Sequence, residues 1–148
     1  MKYDITDFTG RQVTVSPRLA LYAVKDFMGT KLPGLAVILD DVTDPSEPEQ
    51  YAVLTVSFGE FIGMKNCAYI DTNNCDFADQ LQSQGLASDT GFYKASGFCK
   101  YPLWQFDEGT LREIDNDVYQ KYSDAYDGYM ASMYGDEPDE DGIQEISL

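Results

Sequence analysis

Four tyrosines recur at steps of three and four residues near the carboxyl end of the chain, in the segment VYQKYSDAYDGYM of residues 118–130. In an α-helix, side chains at these steps lie on one face. The spacing therefore predicts a helix that begins at Asp115 or Asn116 and ends at about Tyr134. Its packing face would consist of Tyr119, Tyr122, Tyr126, Tyr129, Met130 and Met133. We expect this face to pack against other apolar surface, because its aromatic side chains are driven out of water.

The amino-terminal half has the pattern of strands rather than helices. Valines alternate with polar residues from Gln12 to Ser16, and a run rich in branched residues follows the turn at Pro33 and Gly34. Pro17 is expected to interrupt the second strand, because proline cannot donate a backbone hydrogen bond. The predicted strands form a β-meander: Tyr3–Phe8, Gln12–Ser16, Leu19–Val24, Leu35–Val42 and Tyr51–Phe58.

The centre of the chain adds a short helix and further strands. Ala68–Asp71 is a candidate strand, and a helix is predicted from about Asp76 to Gln84, where Gly85 ends it. Two more strands are predicted between Phe92 and Phe106. We therefore expect an α+β fold: an antiparallel sheet of about five to seven strands, with the short middle helix and the long carboxy-terminal amphipathic helix packed on it.

The domain organisation follows from the same patterns. Residues 1–134 are predicted to form a single globular α+β domain, which is an ordinary length for one domain. Residues 135–148, which include the run DEPDEDG, are predicted to be an acidic flexible tail.

The charge of the chain indicates what it can bind. It has 26 acidic and 10 basic residues, a net charge of −16, and 13 of the acids lie in the last 42 residues. Such a field repels nucleic acids and anionic membranes and attracts basic surfaces. We expect no direct binding to nucleic acid or membrane, and a basic protein partner, in particular a nucleic-acid-binding protein. The predicted partner-binding acids are Asp117, Asp124, Asp127, Asp136, Glu137, Asp139, Glu140 and Asp141.

The sequence offers little support for an enzyme. It contains no histidine, which removes Ser-His-Asp and Cys-His arrangements and most zinc sites. It has no Walker loop, GxGxxG or GxSxG motif, so no cofactor or metal is predicted. Its three cysteines form no CxxC pair, its start MKYDITDF does not resemble a signal peptide, and no apolar run approaches bilayer length. We therefore expect a cytoplasmic location, and we expect Cys75, just before the middle helix, to be a buried structural thiol.

Three alternatives to this interpretation stay open from the sequence. The acids could serve only as a solubilising surface. The chain could be a small enzyme or ligand-binding domain whose pocket lies near Tyr101, Trp104 and Phe106, aromatic residues that could stack on a ligand. It could also be a structural homodimer in which the tyrosine and methionine face of the last helix packs on a second copy.

One segment carries a family resemblance. Residues 69–106 include IDTNN, Gly85, the dipeptide of Thr90 and Gly91, and the run SGFCKYPLWQF. With these features the chain resembles a family of uncharacterised small proteins of phages and conjugative elements of gut bacteria. The resemblance implies a mobile element in a bacterial cytoplasm, where small acidic proteins often inhibit restriction or CRISPR nucleases. It assigns no role to any single residue. The resulting hypothesis is a non-enzymatic, DNA-mimicking inhibitor of host defence.

Overall fold

The computed structural model describes residues 1–134, which fold into eight strands and two helices. The strands are β1 (Tyr3–Thr6), β2 (Gln12–Lys25), β3 (Lys31–Asp41), β4 (Glu49–Val53), β5 (Thr55–Val56), β6 (Cys67–Ile70), β7 (Ser88–Ser96) and β8 (Cys99–Gln105). The helices are α1 (Ala78–Ser83) and α2 (Glu108–Tyr134). The predicted acidic tail and its five partner-binding acids lie outside the described residues.

The strands form two antiparallel sheets of four, in the orders β1-β2-β3-β4 and β5-β6-β8-β7. The predicted α+β class with antiparallel pairing, a short middle helix and a long last helix is confirmed. The prediction placed all strands in one sheet, whereas the structure divides them between two sheets.

The division into two sheets occurs at Leu54, between β4 and β5. Leu54 is fully buried, donates its N–H to Val37 O on β3, and accepts a hydrogen bond from Asp71 N just after β6. Its backbone is thus bonded to both sheets. The single strand predicted from Tyr51 to Phe58 is therefore wrong, and two short strands in different sheets take its place.

β2 continues through Pro17, so the predicted interruption there is wrong. The backbone groups of Thr14 point toward the β3 side, where they bond Thr43 Oγ1 and Val42 N. Successive residues of a strand direct these groups to alternate sides, so Pro17 faces the β1 side. The pairing of β1 with β2 ends at Val15. The missing N–H of Pro17 therefore removes no hydrogen bond from the sheet.

Both predicted helices are present. α1 ends before Gly85, whose φ of 89° is the left-handed conformation typical of the residue after a helix. α2 begins after Asp107, whose Oδ2 accepts a hydrogen bond from Thr110 N. A break at Asp115, with φ −161° and ψ 98°, divides α2, and Asp115 Oδ1 caps the second part by accepting from Val118 N. The helix that the sequence predicted to begin at Asp115 or Asn116 is the part of α2 that follows this break.

One core joins both sheets and both helices. α2 packs mainly against β2 and β3. The predicted packing face of α2 is confirmed, because Tyr119, Tyr122 and Tyr126 are at most 8% exposed and belong to the same cluster as the sheet residues. Since these tyrosines are covered by their own chain, a homodimer contact through this face would have only its partly exposed residues, Tyr129, Met130 and Met133, to use.

Candidate interaction surface

The outer face of α2 carries the three acids that the helical spacing placed there. Asp117, Asp124 and Asp127 are all exposed. From the helical rise, Asp117 and Asp124 are about 10 Å apart along the axis, and Asp124 and Asp127 about 4.5 Å. Their exposure agrees with the prediction, and their part in binding stays a prediction.

Asn66 fixes the middle of α2 to the rest of the fold. Tyr119 OH donates to Asn66 Oδ1 at 2.8 Å, and Asn66 N–H donates to Tyr122 OH at 2.9 Å. The Asn66 carbonyl accepts from Phe106 N at 2.8 Å, just after β8. Asn66 has a φ of 65°, a left-handed conformation that asparagine tolerates better than most residues. One residue of the loop before β6 thus holds both the helix and the second sheet.

A second contact fixes the carboxyl end of α2. Tyr129 OH donates to Asp26 Oδ2 at 2.6 Å, in the turn between β2 and β3, and the Phe61 ring lies 4.8 Å from the Tyr129 ring. The hydrogen bond to Asp26 raises the pKa of Tyr129 to about 12 and lowers the pKa of Asp26 below its usual value. The helix that carries the outer carboxylates is therefore fixed to the rest of the fold at two places.

The three outer acids differ in how much of their charge is compensated. Asp127 accepts from Lys65 Nζ at 2.8 and 3.0 Å. Partial burial lowers the pKa of Lys65, but the hydrogen bond and charge of Asp127 outweigh it, so the net shift is upward. Asp124 accepts from the Gln120 amide at 2.8 Å, which is a neutral donor. Asp117 has no ion pair or side-chain hydrogen bond within residues 1–134. Asp117 and Asp124 thus form no ion pair among residues 1–134, although Lys121 lies within about one helical turn of both.

Most acidic side chains in the described part of the chain form no ion pair. Residues 1–134 contain 20 acids and all 10 bases. Five of these acids form ion pairs: Asp40, Asp41, Glu60, Glu108 and Asp127. The other 15 have no basic side chain within 4.0 Å among residues 1–134. Even without residues 135–148, the domain is a strongly negative surface.

A second acidic region, which our sequence analysis missed, surrounds the loop between β3 and β4. A shallow depression of about 300 Å³ is lined by Arg11, Asp41, Thr43, Asp44, Glu47 and Glu49. Arg11 is ion-paired with Asp41 at 3.2 Å. The signal was present as five acids and no base in residues 40–49, but the larger charge imbalance of the last 42 residues drew the prediction to α2.

The predicted aromatic pocket is not where the structure has its cavity. Trp104 and Phe106 are core residues, 2% and 1% exposed. A cavity of about 30 Å³ lies elsewhere, with Val24, Phe58, Phe61 and Tyr122 among its lining, and none of the three predicted pocket residues lines it. Small-molecule sites usually enclose about 300–1,000 Å³. The cavity is large enough for about one water molecule and too small for an ordinary substrate.

The thiols and acids of the described part of the chain form no cluster that could hold a metal ion. Cys75 is 1% exposed, and burial, with the nearby charges of Asp71 and Asp76, raises its pKa to about 12. The predicted burial of Cys75 is confirmed. Within residues 1–134, no three acids or cysteines lie close enough together to hold a metal ion. Neither helix there has an apolar stretch of membrane-spanning length.

Comparison with known proteins identifies one family. A family described as a domain of unknown function (DUF4313) matches residues 23–126, which include Asp117 and Asp124. The comparisons with curated proteins and with solved structures gave no match.

Proposed function

The chain belongs to the DUF4313 family, a domain family of unknown function, and we propose that this member is a non-enzymatic acidic protein that binds a basic surface of a nucleic-acid-binding protein. The carboxylates would pair with the Lys and Arg side chains that otherwise hold phosphates. Occupation of that surface would exclude the nucleic acid.

The observation that carries the proposal is a pair of exposed carboxylates that form no ion pair, on a helix that is firmly held. Asp117 and Asp124 are exposed, lack a basic partner among residues 1–134, and stand on a helix fixed by Asn66 and Asp26. A rigid array of carboxylates loses little conformational entropy on binding. The small cavity and the buried thiols give an enzymatic alternative no comparable support.

The proposed setting is a bacterial mobile element, as the resemblance of residues 69–106 implies. In that setting the partner class to test first is a restriction or CRISPR nuclease, whose nucleic-acid channel is basic. Asp127 contributes less than the other two acids, because Lys65 already neutralises it.

The test is affinity capture from a nuclease-treated bacterial lysate, with elution by a salt gradient and identification by mass spectrometry. The captured protein is then challenged with duplex DNA. We expect a basic nucleic-acid-binding protein that leaves at moderate salt and that DNA displaces. A partner that stays bound at high salt, or that DNA does not displace, would contradict the proposal.

Matched variants locate the surface. The double variant Asp117→Asn/Asp124→Asn removes two charges from α2, and Glu47→Gln/Glu49→Gln removes two from the depression beside β4. We expect the first to elute the partner at lower salt and the second to behave like wild type. Equal effects of both would show that only net charge acts, and a larger effect of the second would place binding at the depression.

A further inference from the structure

The hairpin of β7 and β8 exposes an unusual amount of apolar surface. Phe92, Tyr93 and Phe98 are 62%, 55% and fully exposed, and they lie within seven residues of one another. Large aromatic side chains exposed together on one hairpin are typical of an interaction site. Lys100 Nζ lies 4.9 Å from the centroid of the Tyr93 ring, so a lysine from β8 covers part of this ring.

Among residues 1–134, β7 also has an unpaired backbone edge, because it is the last strand of its sheet. Gly97 and Phe98 form a two-residue turn between Ser96 and Cys99, the pair that closes the hairpin. In such hairpins the two residues of the closing pair form two backbone hydrogen bonds with each other. Hydrogen-bonded and non-hydrogen-bonded pairs then alternate along the two strands. The backbone groups of Tyr93 and Ala95 therefore point away from β8, toward the free edge.

Only part of this edge is regular. The register shifts between Asp89 and Tyr93, around Gly91 with its φ of 86°. A bulge of this kind prevents another strand from pairing along the whole edge. The regular part is Tyr93–Ser96, with Phe92 displaced at one end and Phe98 in the turn at the other.

The charge of the hairpin differs from that of the rest of the chain. Residues 88–105 contain two lysines and one aspartate, whereas the other residues contain 8 bases and 25 acids. Two copies of a protein with net charge −16 repel each other through most of their surfaces. Between two hairpins, each with one net positive charge, this repulsion is smaller than between two acidic surfaces.

We propose that β7 pairs antiparallel with β7 of a second copy, about a two-fold axis at Ala95. Outward-pointing backbone groups then meet at Ala95, and Tyr93 lies opposite Gly97 of the second copy. The same register brings Phe92 close to Phe98 of the second copy at both ends of the paired residues 94–96, so these aromatic side chains come together outside the strand pairing. A two-fold axis at Lys94 would also match the backbone, but it would set two lysines directly opposite, which is unfavourable.

This contact does not depend on the proposed function, and it responds to salt in the opposite sense. Raising the salt from about 0.01 M to about 1 M shortens the Debye length from about 30 Å to about 3 Å. Screening weakens the repulsion between two acidic copies, so self-association becomes tighter. The same change weakens binding to a basic partner, so the two results are separable.

The test is sedimentation velocity of the full chain at these two salt concentrations. We expect a monomer–dimer equilibrium whose dimer fraction rises with salt. Ala95→Lys puts two like charges opposite each other at the axis and should yield monomers. Ala23→Lys, at another exposed strand position, makes the same change in net charge and should dimerise more strongly than Ala95→Lys.

A second pair of variants tests the aromatic contact. Phe92→Ser/Phe98→Ser should abolish the dimer, and Phe8→Ser/Phe27→Ser, at two residues 86% and 85% exposed in other turns, should leave it unchanged. Circular dichroism checks that each variant is folded. A wild-type chain that stays monomeric at both salts up to about 100 μM would overturn the proposal. So would a dimer that both hairpin variants leave intact.

Discussion

Replacement of Asn66 by alanine should destabilise the fold by about 2–5 kcal/mol, through two separate effects. At a φ of 65°, an alanine side chain costs about 1–2 kcal/mol more than a residue that tolerates the left-handed region. The Tyr119 hydroxyl, on a fully buried side chain, also loses its acceptor, which costs about 1–3 kcal/mol. The sum is a large part of the roughly 5–15 kcal/mol that stabilises a typical domain.

Urea unfolding of three further variants separates the two effects. Asn66→Gly keeps the left-handed backbone and loses the amide, so it should be about 1 kcal/mol more stable than Asn66→Ala. Tyr119→Phe removes the donor. The double variant Asn66→Ala/Tyr119→Phe should be less destabilised than the sum of its single changes by about 1 kcal/mol. Equal stability of the alanine and glycine variants would refute the backbone argument, and strict additivity would refute the hydrogen-bond argument.

Two further predictions concern titratable groups. The pKa of Tyr129 is higher in the folded chain, about 12, than the ordinary value of 10.0, so its contribution to stability is complete below about pH 10 and is lost as the pH rises toward 12. Its partner Asp26 has a lowered pKa, so that contribution disappears as the pH falls below the ordinary carboxyl range. Tyr129→Phe should therefore lose less stability than wild type at both extremes, as urea midpoints across pH would measure; parallel pH profiles would contradict this. Burial raises the pKa of Cys67 to about 11 and that of Cys75 to about 12, and Cys99 is partly exposed. A thiol reagent at pH 8 should modify about one cysteine in the folded chain and all three in urea; rapid modification of a second thiol in the folded chain would show that the core opens.

The elements that were predicted correctly depend on local chemistry. The break in α2 falls at Asp115 because the carboxylate of that residue caps the turn that follows, and the middle helix ends at Gly85 because glycine adopts a positive φ. The aromatic face of α2 follows from helical spacing alone. Each of these features can be derived from residues within a few positions of one another.

The candidate surface was predicted only in part, because the state of each acid depends on distant residues. Helical spacing predicted that Asp117, Asp124 and Asp127 would be exposed. It could not predict that Lys65, 62 residues from Asp127, would neutralise that acid and leave the others unpaired. Charge counting likewise passed over the depression beside β4, where Arg11 meets acids from the loop after β3.

The sequence by itself determined the two helices, the glycine that follows α1, the cap at Asp115, the antiparallel pairing and the excess of acid, since these depend on side-chain type and short-range spacing. Tertiary structure decided which strands share a sheet. Leu54 passes between the sheets because its two backbone groups find partners on β3 and after β6, and Pro17 is tolerated because β1 ends before reaching it. Tertiary structure also decided which acids stay unpaired. These outcomes depend on pairing register between segments far apart in the chain, which no local pattern records.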